Sequence, residues 1–87
     1  MPSDFLLSQL AGKIGMEWEQ VGALLGLSDS EMYRCKVESQ YNLWGQVNKA
    51  LHIWRNREYT NATIGKLVWA LQESGVGREK FEFLMNA

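Results

Sequence analysis

The sequence predicts an all-α domain, a bundle of six short antiparallel helices. Apolar residues recur at the three- and four-residue spacing of amphipathic helices along most of the chain, while the alternating runs typical of strands are scarce. The only proline is Pro2, so nothing interrupts this periodicity after the N-terminus. A chain of 87 residues suits one domain with one core, and we expect residues 1–87 to form that single domain.

The first third of the chain predicts two helices. The first runs from about 4–14 with Ser3 as N-cap, and its apolar face comprises Leu6, Leu7, Leu10, Ala11 and Ile14. Phe5 falls on the opposite side of this helix. The second runs over about 17–25 and ends at Gly26, a residue suited to the left-handed conformation that terminates many helices. Its inward residues are Trp18, Val21, Leu24 and Leu25.

The middle of the chain predicts a third helix and a long central fourth helix. Ser28 and Glu31 have the spacing of a capping box, which starts the third helix. Its inward residues are Met32 and Cys35, and its solvent-facing residues are Tyr33, Arg34 and Lys36. The fourth helix covers about 42–57, and its buried stripe comprises Leu43, Val47, Ala50, Leu51 and Trp54.

The last third of the chain predicts two shorter helices. Thr60 or Asn61 caps the fifth helix and Gly75 ends it, and its inward residues are Ile64, Leu67, Val68 and Leu71. The sixth helix covers about 78–86, and its buried residues are Phe81, Leu84 and Met85.

The charge pattern argues against nucleic acid as a partner. The chain has nine basic and ten acidic residues, and it has no Lys/Arg cluster of the kind that neutralises phosphates. The charges are unevenly placed, since residues 1–41 hold six acids and three bases while residues 42–87 hold four acids and six bases. We expect unlike surfaces that suit head-to-tail association. Without a signal sequence or a long apolar span, we expect a cytoplasmic protein with no membrane partner.

Catalytic chemistry is not indicated by the sequence. One His and one Cys cannot form a zinc site, and the eight glycines form no nucleotide-binding fingerprint. We therefore expect no enzyme activity, no metal or other cofactor, and no small-molecule substrate. His52 is predicted to face solvent without an acidic neighbour on its helix, and Cys35 is predicted to be inert core packing.

Exposed aromatic residues are the stronger signal for a binding function. Trp69 lies nearly opposite the apolar stripe of the fifth helix, and Trp44 lies at the flank of the fourth. Large aromatic residues at the centre of an interface are frequent hot spots, although both could instead pack against neighbouring helix ends. The outer face of the third helix, with Tyr33, Arg34 and Lys36, is a second candidate surface, or simply a solvated face.

Three segments resemble the death-domain family along nearly the whole chain. They are LAGKIGMEWEQVGALLGLS at 10–28, NKALHIWRNR at 48–57 and NATIGKLVWAL at 61–71. The resemblance implies a six-helix, non-catalytic module that binds other death domains in oligomeric signalling complexes of apoptosis or innate immunity. The alternative is a structural module of a receptor, kinase or ankyrin-type scaffold that does not oligomerise by itself.

Within the family, the chain most resembles the RAIDD-type adaptors. LGLSDSEMYRCK at 25–36 and NLWGQVNKALHIWRNR at 42–57 carry this resemblance. It implies a PIDD-type death domain as partner and a larger adaptor from which the domain is excised. The family's contact helices and turns imply the following partner-binding residues, in addition to Trp44 and Trp69: Tyr33, Arg34, Lys36, Arg55, Arg57, Gly77 and Arg78.

Overall fold

A computed structural model describes residues 2–86, and this part of the chain contains α-helices and one 3-10 turn but no strands. The helices are α1 (Asp4–Ala11), α2 (Trp18–Leu24), α3 (Asp29–Glu38), α4 (Leu43–Glu58), α5 (Ile64–Glu73) and α6 (Arg78–Met85). The 3-10 turn, Tyr59–Asn61, joins α4 to the segment before α5. The predicted all-α fold with six helices is confirmed.

The side-chain caps that the sequence predicts are confirmed for α1 and α3, and α5 is the exception. The Ser3 hydroxyl accepts from Leu6 N–H at 3.2 Å to start α1. Both halves of the Ser28 and Glu31 capping box form, at 3.1 and 2.9 Å. The exception is α5, which is capped by the Thr63 hydroxyl and not by Thr60 or Asn61. The reason is that both predicted caps lie in or beside the 3-10 turn, which delays the start of the helix.

Glycines follow the ends of α2 and α5 in the left-handed conformation, as predicted. Gly26 and Gly75 have φ of 95° and 77°, values that residues other than glycine rarely adopt.

Helix α1 is shorter than predicted, because the chain leaves it at Gly12 in a turn closed by Lys13 N–H donating to Leu10 O. Ile14 is buried nevertheless, so the prediction of its burial is confirmed although it is not helical.

The core is built around α4, which contacts α1, α2 and α3. Its buried residues are Val47, Ala50, Leu51 and Trp54, and they pack with the fully buried Trp18 and Phe81. Two predicted core residues are exposed, Leu43 and Met85. Each lies at a helix end, Leu43 in the first position of α4 and Met85 in the last of α6, where no neighbouring helix covers it.

Helix α3 is packed much more lightly. Cys35 is its only fully buried residue, and Met32 is half-buried against the core. The remaining face of α3 is therefore available to solvent along its length, as predicted for Tyr33, Arg34 and Lys36. Among residues 2–86, no helix is long and apolar enough to cross a membrane.

Candidate partner-binding surfaces

The acidic, histidine and cysteine side chains do not converge on a metal site anywhere in residues 2–86. Burial raises the pKa of the Cys35 thiol, so this side chain is protonated and unreactive at neutral pH. The features that can recognise another molecule are therefore surface features: exposed aromatic residues, a groove and a free guanidinium group.

The outer face of α3 presents Tyr33 and Arg34 to solvent. Tyr33 is 69% exposed, and Arg34 forms no salt bridge within the described part of the chain. Lys36 behaves differently, because its ammonium lies 2.5 Å from the Glu19 carboxylate on α2. Of the three predicted α3 residues, Arg34 is thus the one whose charge is left for a partner.

A groove of about 590 Å³ runs beside this face. Its lining residues come from the loop before α2, from α2, from α3, from the loop after α3 and from the first turn of α4: Met16, Glu19, Tyr33, Lys36, Val37, Gln40 and Gln46. Tyr33 and Lys36 were candidate binding residues in the sequence, whereas the other five were missed. The four-residue spacing of Tyr33 and Val37 along α3 is that of a single helix face, and this was the available signal.

The Arg55 side chain is mostly covered and is held by contacts within the domain. Its guanidinium pairs with the Asp4 carboxylate on α1 and also donates to Pro2 O at 3.4 Å. The hydrogen bond and charge of Arg55 hold the pKa of the Asp4 carboxyl below its ordinary value. The arrangement ties the start of α1 to α4.

His52 belongs to the same cluster, which corrects the prediction that it faces solvent. Its side chain is half-buried, with Nδ1 2.7 Å from Asn48 O and Nε2 3.6 Å from Asp4 Oδ1. The acidic neighbour comes from α1 and is therefore invisible in the sequence around His52.

Arg57 closes a second link between helices. Its guanidinium donates to both Glu31 carboxylate oxygens, at 2.9 and 3.2 Å, and to Gly26 O at 3.0 Å. This connects the end of α4 to the turn between α2 and α3. The backbone N–H of Ser28, assisted by Arg57, lowers the pKa of the Glu31 carboxyl.

These ion pairs cancel the uneven charge of the two halves. Three bases of the second half pair with acids of the first half: Lys49 with Glu38, Arg55 with Asp4, and Arg57 with Glu31. With Lys36 and Glu19 also paired, two acids and two bases of residues 2–41 remain outside salt bridges. Three of the four paired acids of the first half therefore have their base in the second half, and head-to-tail association stays a prediction.

The two candidate tryptophans differ in their surroundings. The Trp44 indole N–H donates to Ser8 O at 3.0 Å, and its ring lies close to Gly12, so it covers the end of α1 while remaining 45% exposed. Trp69 is 47% exposed and makes no such bond. The exposure predicted for Trp69 is confirmed.

The nine candidate residues do not converge on one site. Tyr33 and Lys36 line the groove with Arg34 on the adjoining face, whereas Trp44, Arg55 and Arg57 are held by contacts within the domain. The other candidates lie on α5 and at the turn before α6, where Gly77 precedes the exposed Arg78: Trp69, Gly77 and Arg78.

The family model described as "Death domain" matches residues 5–81. The chain belongs to the death-domain family. It is 32% identical over 63 residues to the human FAS-associated death domain protein, and 30% identical over 63 residues to its Bos taurus counterpart. Each match covers 72% of this chain and 30% of the relative, so the chain spans under a third of the relatives' length.

Family membership gives the general role of the fold. Death domains are non-catalytic protein-interaction modules of death signalling, as the sequence resemblance implied. The exposed α3 face and the groove beside it are candidate contacts for such an interaction.

Proposed function

We propose that this death domain is a cytoplasmic adaptor module that assembles with other death domains through the outer face of α3. The assembly is an oligomeric, caspase-activating scaffold of the RAIDD and PIDD kind. The observation that supports this most is the exposed pair of Tyr33 and Arg34, because Arg34 forms no salt bridge within the described residues and lies next to an exposed aromatic side chain.

Arg34 suits this role for reasons of chemistry. A guanidinium is always charged at neutral pH and can hold a carboxylate with two parallel hydrogen bonds. Arg55 and Arg57 have the same chemistry, but they already bind Asp4 and Glu31. Arg78 is exposed and also outside the salt bridges of the described residues, but its neighbours in the chain are Gly77 and Glu79, with no aromatic residue. An aromatic residue beside a free arginine is also the composition typical of interface hot spots. We therefore rank Arg34 first among the candidate contact residues.

Two partner classes have support. The MYRCK segment at 32–36 resembles the RAIDD type and favours a PIDD-type death domain. The identity with the FAS-associated death domain protein, whose name records its association with FAS, favours a FAS-type death domain. Both classes use the same proposed surface, so one experiment can compare them.

The test is the light-scattering mass of the complex after size-exclusion chromatography, with a PIDD-type or a FAS-type death domain. We expect the wild-type domain to form a complex heavier than a one-to-one pair with one of them, and Arg34→Glu to abolish it. Lys80→Glu is the matched control, since it reverses the charge of an exposed lysine on α6 that forms no salt bridge in the described residues. It should assemble like wild type.

Two outcomes would contradict the proposal. Normal assembly by a folded Arg34→Glu variant would remove Arg34 from the interface. Separate monomer peaks with both partners would favour the alternative, a structural module within a receptor, kinase or ankyrin-type scaffold.

A further inference from the structure

The end of α3 and its connection to α4 lack a hydrophobic anchor. No residue of the segment 36–46 is buried, and this is the longest such segment in the described part of the chain. None of the half-buried apolar residues that pack against the core lies in it either. Cys35 before the segment and Val47 after it are the nearest buried residues. Core packing along α3 therefore stops at Cys35, and other contacts must fix the end of the helix.

Two ion pairs join this segment to the neighbouring helices. The Lys36 ammonium lies 2.5 Å from the Glu19 carboxylate on α2. The Glu38 carboxylate lies 2.9 Å from the Lys49 ammonium on α4. Both pairs are partly exposed, and exposed pairs shift an equilibrium by at most about 5-fold each. They hold the end of α3 in place but leave it releasable.

Hydrogen bonds add a second attachment of α3 to α4. The Gln46 side-chain amide donates to Ser39 O at 3.0 Å, and the backbone N–H of Asn42, the N-cap of α4, donates to the same oxygen at 3.0 Å. Gly45 lets the first turn of α4 come this close. A side chain at Gly45 would begin 3.0 Å from the Ser39 hydroxyl oxygen and 3.1 Å from its Cβ. The end of α3 is thus seated on the start of α4 by polar contacts.

We infer that Gln46 and Lys49 are positioning residues for the binding face of α3. Both lie on α4 and hold the end of α3, so they set the position of Tyr33 and Arg34 without touching a partner. The consequence for binding rests on the proposed function. The attachment of α3 is a property of the domain alone and can be measured without a partner.

The helix itself transmits the effect of these residues to Arg34. Arg34 and Glu38 are four residues apart in α3, about one helical turn, and therefore lie on the same side of it. A shift of the helix end moves the guanidinium that the proposed function assigns to the partner. The start of α3 is held separately by its capping box and by Arg57, so release is expected at the end of the helix first.

Hydrogen exchange of the free domain tests the ion pair. Lys49→Glu places two carboxylates together, and the amides of residues 35–39 should exchange about 5-fold faster than in wild type, relative to those in the middle of α4. The charge swap Glu38→Lys with Lys49→Glu rebuilds the pair and should restore the rate within about 2-fold. Lys80→Glu makes the same change of net charge on α6 and should exchange like wild type.

Gln46→Ala tests the neutral contact separately. It removes the side-chain donor to Ser39 O, so exchange of residues 35–39 should rise about 2- to 10-fold, the range expected for one hydrogen bond. Gln40→Ala is the matched control, since Gln40 is exposed in the same segment and its side chain makes no hydrogen bond within residues 2–86. Circular dichroism melting of each variant confirms folding.

Partner binding then separates positioning from direct contact. With whichever of the PIDD-type and FAS-type domains binds the wild type, Lys49→Glu should weaken association about 5-fold, and the charge swap should restore it. A swap that restores exchange but not binding would make Lys49 a contact residue and overturn the inference. Unchanged exchange in both Lys49→Glu and Gln46→Ala would overturn it as well. A wild type that binds neither partner contradicts the proposed function, while the exchange rates still show whether Gln46 and Lys49 hold α3.

Discussion

Helices α3 and α4 lie against each other, yet they differ in how much of each is buried and in whether their arginines are paired. Helix α4 buries four of its sixteen residues and contacts three other helices, and the two arginines near its end are bound to acids of α1 and α3. Helix α3 buries one of its ten residues, and its arginine is outside every salt bridge of the described structure. Stability is therefore concentrated in α4, and freedom to bind is concentrated in α3.

The largest expected difference between α3 and α4 is in the loss of unfolding free energy when an aromatic residue on each helix is truncated. Trp54 on α4 is fully buried, so Trp54→Ala should lower the free energy of unfolding by about 3–5 kcal/mol. That is a large part of the about 5–15 kcal/mol that stabilises a typical domain. Tyr33→Ala on α3 should change it by less than about 0.5 kcal/mol. Urea unfolding of both variants measures the difference, and equal effects would show that α3 is as essential to the core as α4.

The capping box should matter because α3 has so little buried surface. Ser28→Ala removes the hydroxyl that accepts from Glu31 N–H, and we expect a loss of about 1 kcal/mol of unfolding free energy. Ser30→Ala is the matched control, since Ser30 is exposed within the same helix and caps nothing. Urea unfolding compares the two. A loss at Ser30 equal to that at Ser28 would mean that the cap contributes little.

Low pH should weaken two of the ion pairs that join α4 to its neighbours, Arg55 with Asp4 and Arg57 with Glu31. The pKa values of Asp4 and Glu31 are lowered in the folded protein, by Arg55 for Asp4 and chiefly by the Ser28 N–H for Glu31. A lowered pKa contributes stability above the unfolded-state value, and this stability is lost as pH falls through the folded-state value. The melting temperature should therefore fall from about pH 5 downward.

The variants Asp4→Asn and Glu31→Gln test this assignment. Each should melt lower than wild type at pH 7 and lose less on acidification, because the titrating group is gone. Glu82→Gln, an exposed carboxylate on α6 outside the salt bridges, should follow the wild-type pH profile. Profiles of the Asp4 and Glu31 variants as steep as that of wild type would show that other carboxylates cause the acid sensitivity.

The sequence predicts those features that depend on neighbouring residues. The Ser28 capping box and the left-handed Gly26 and Gly75 need only a few adjacent positions, and all are confirmed. The exposure of Leu43 and Met85 was not predicted, because a helical stripe does not show where the covering helix stops.

Prediction of the candidate site from the sequence is limited in the same way, because distant parts of the chain form it. Local spacing alone predicted that Tyr33, Arg34 and Lys36 on α3 are exposed, and the structure confirms it. The partners of Arg55 and Arg57 lie 51 and 26 positions away in the chain, so only the fold reveals that these guanidinium groups are occupied. The groove likewise needs residues from the loop before α2 and from α4, which no single helical stripe brings together.

The smallest expected effect on stability is also the most informative. Arg34→Gln should leave the free energy of unfolding within about 0.5 kcal/mol of wild type, because Arg34 forms no salt bridge in the described residues. Arg57→Gln should cost more, and a double-mutant cycle with Glu31→Gln should show a coupling of about 0.2–1 kcal/mol, the range of exposed ion pairs. Partner assembly should show the reverse order, with the larger loss at Arg34. If Arg34→Gln destabilised the domain as much as Arg57→Gln, the contrast between a binding arginine and a structural one would fail.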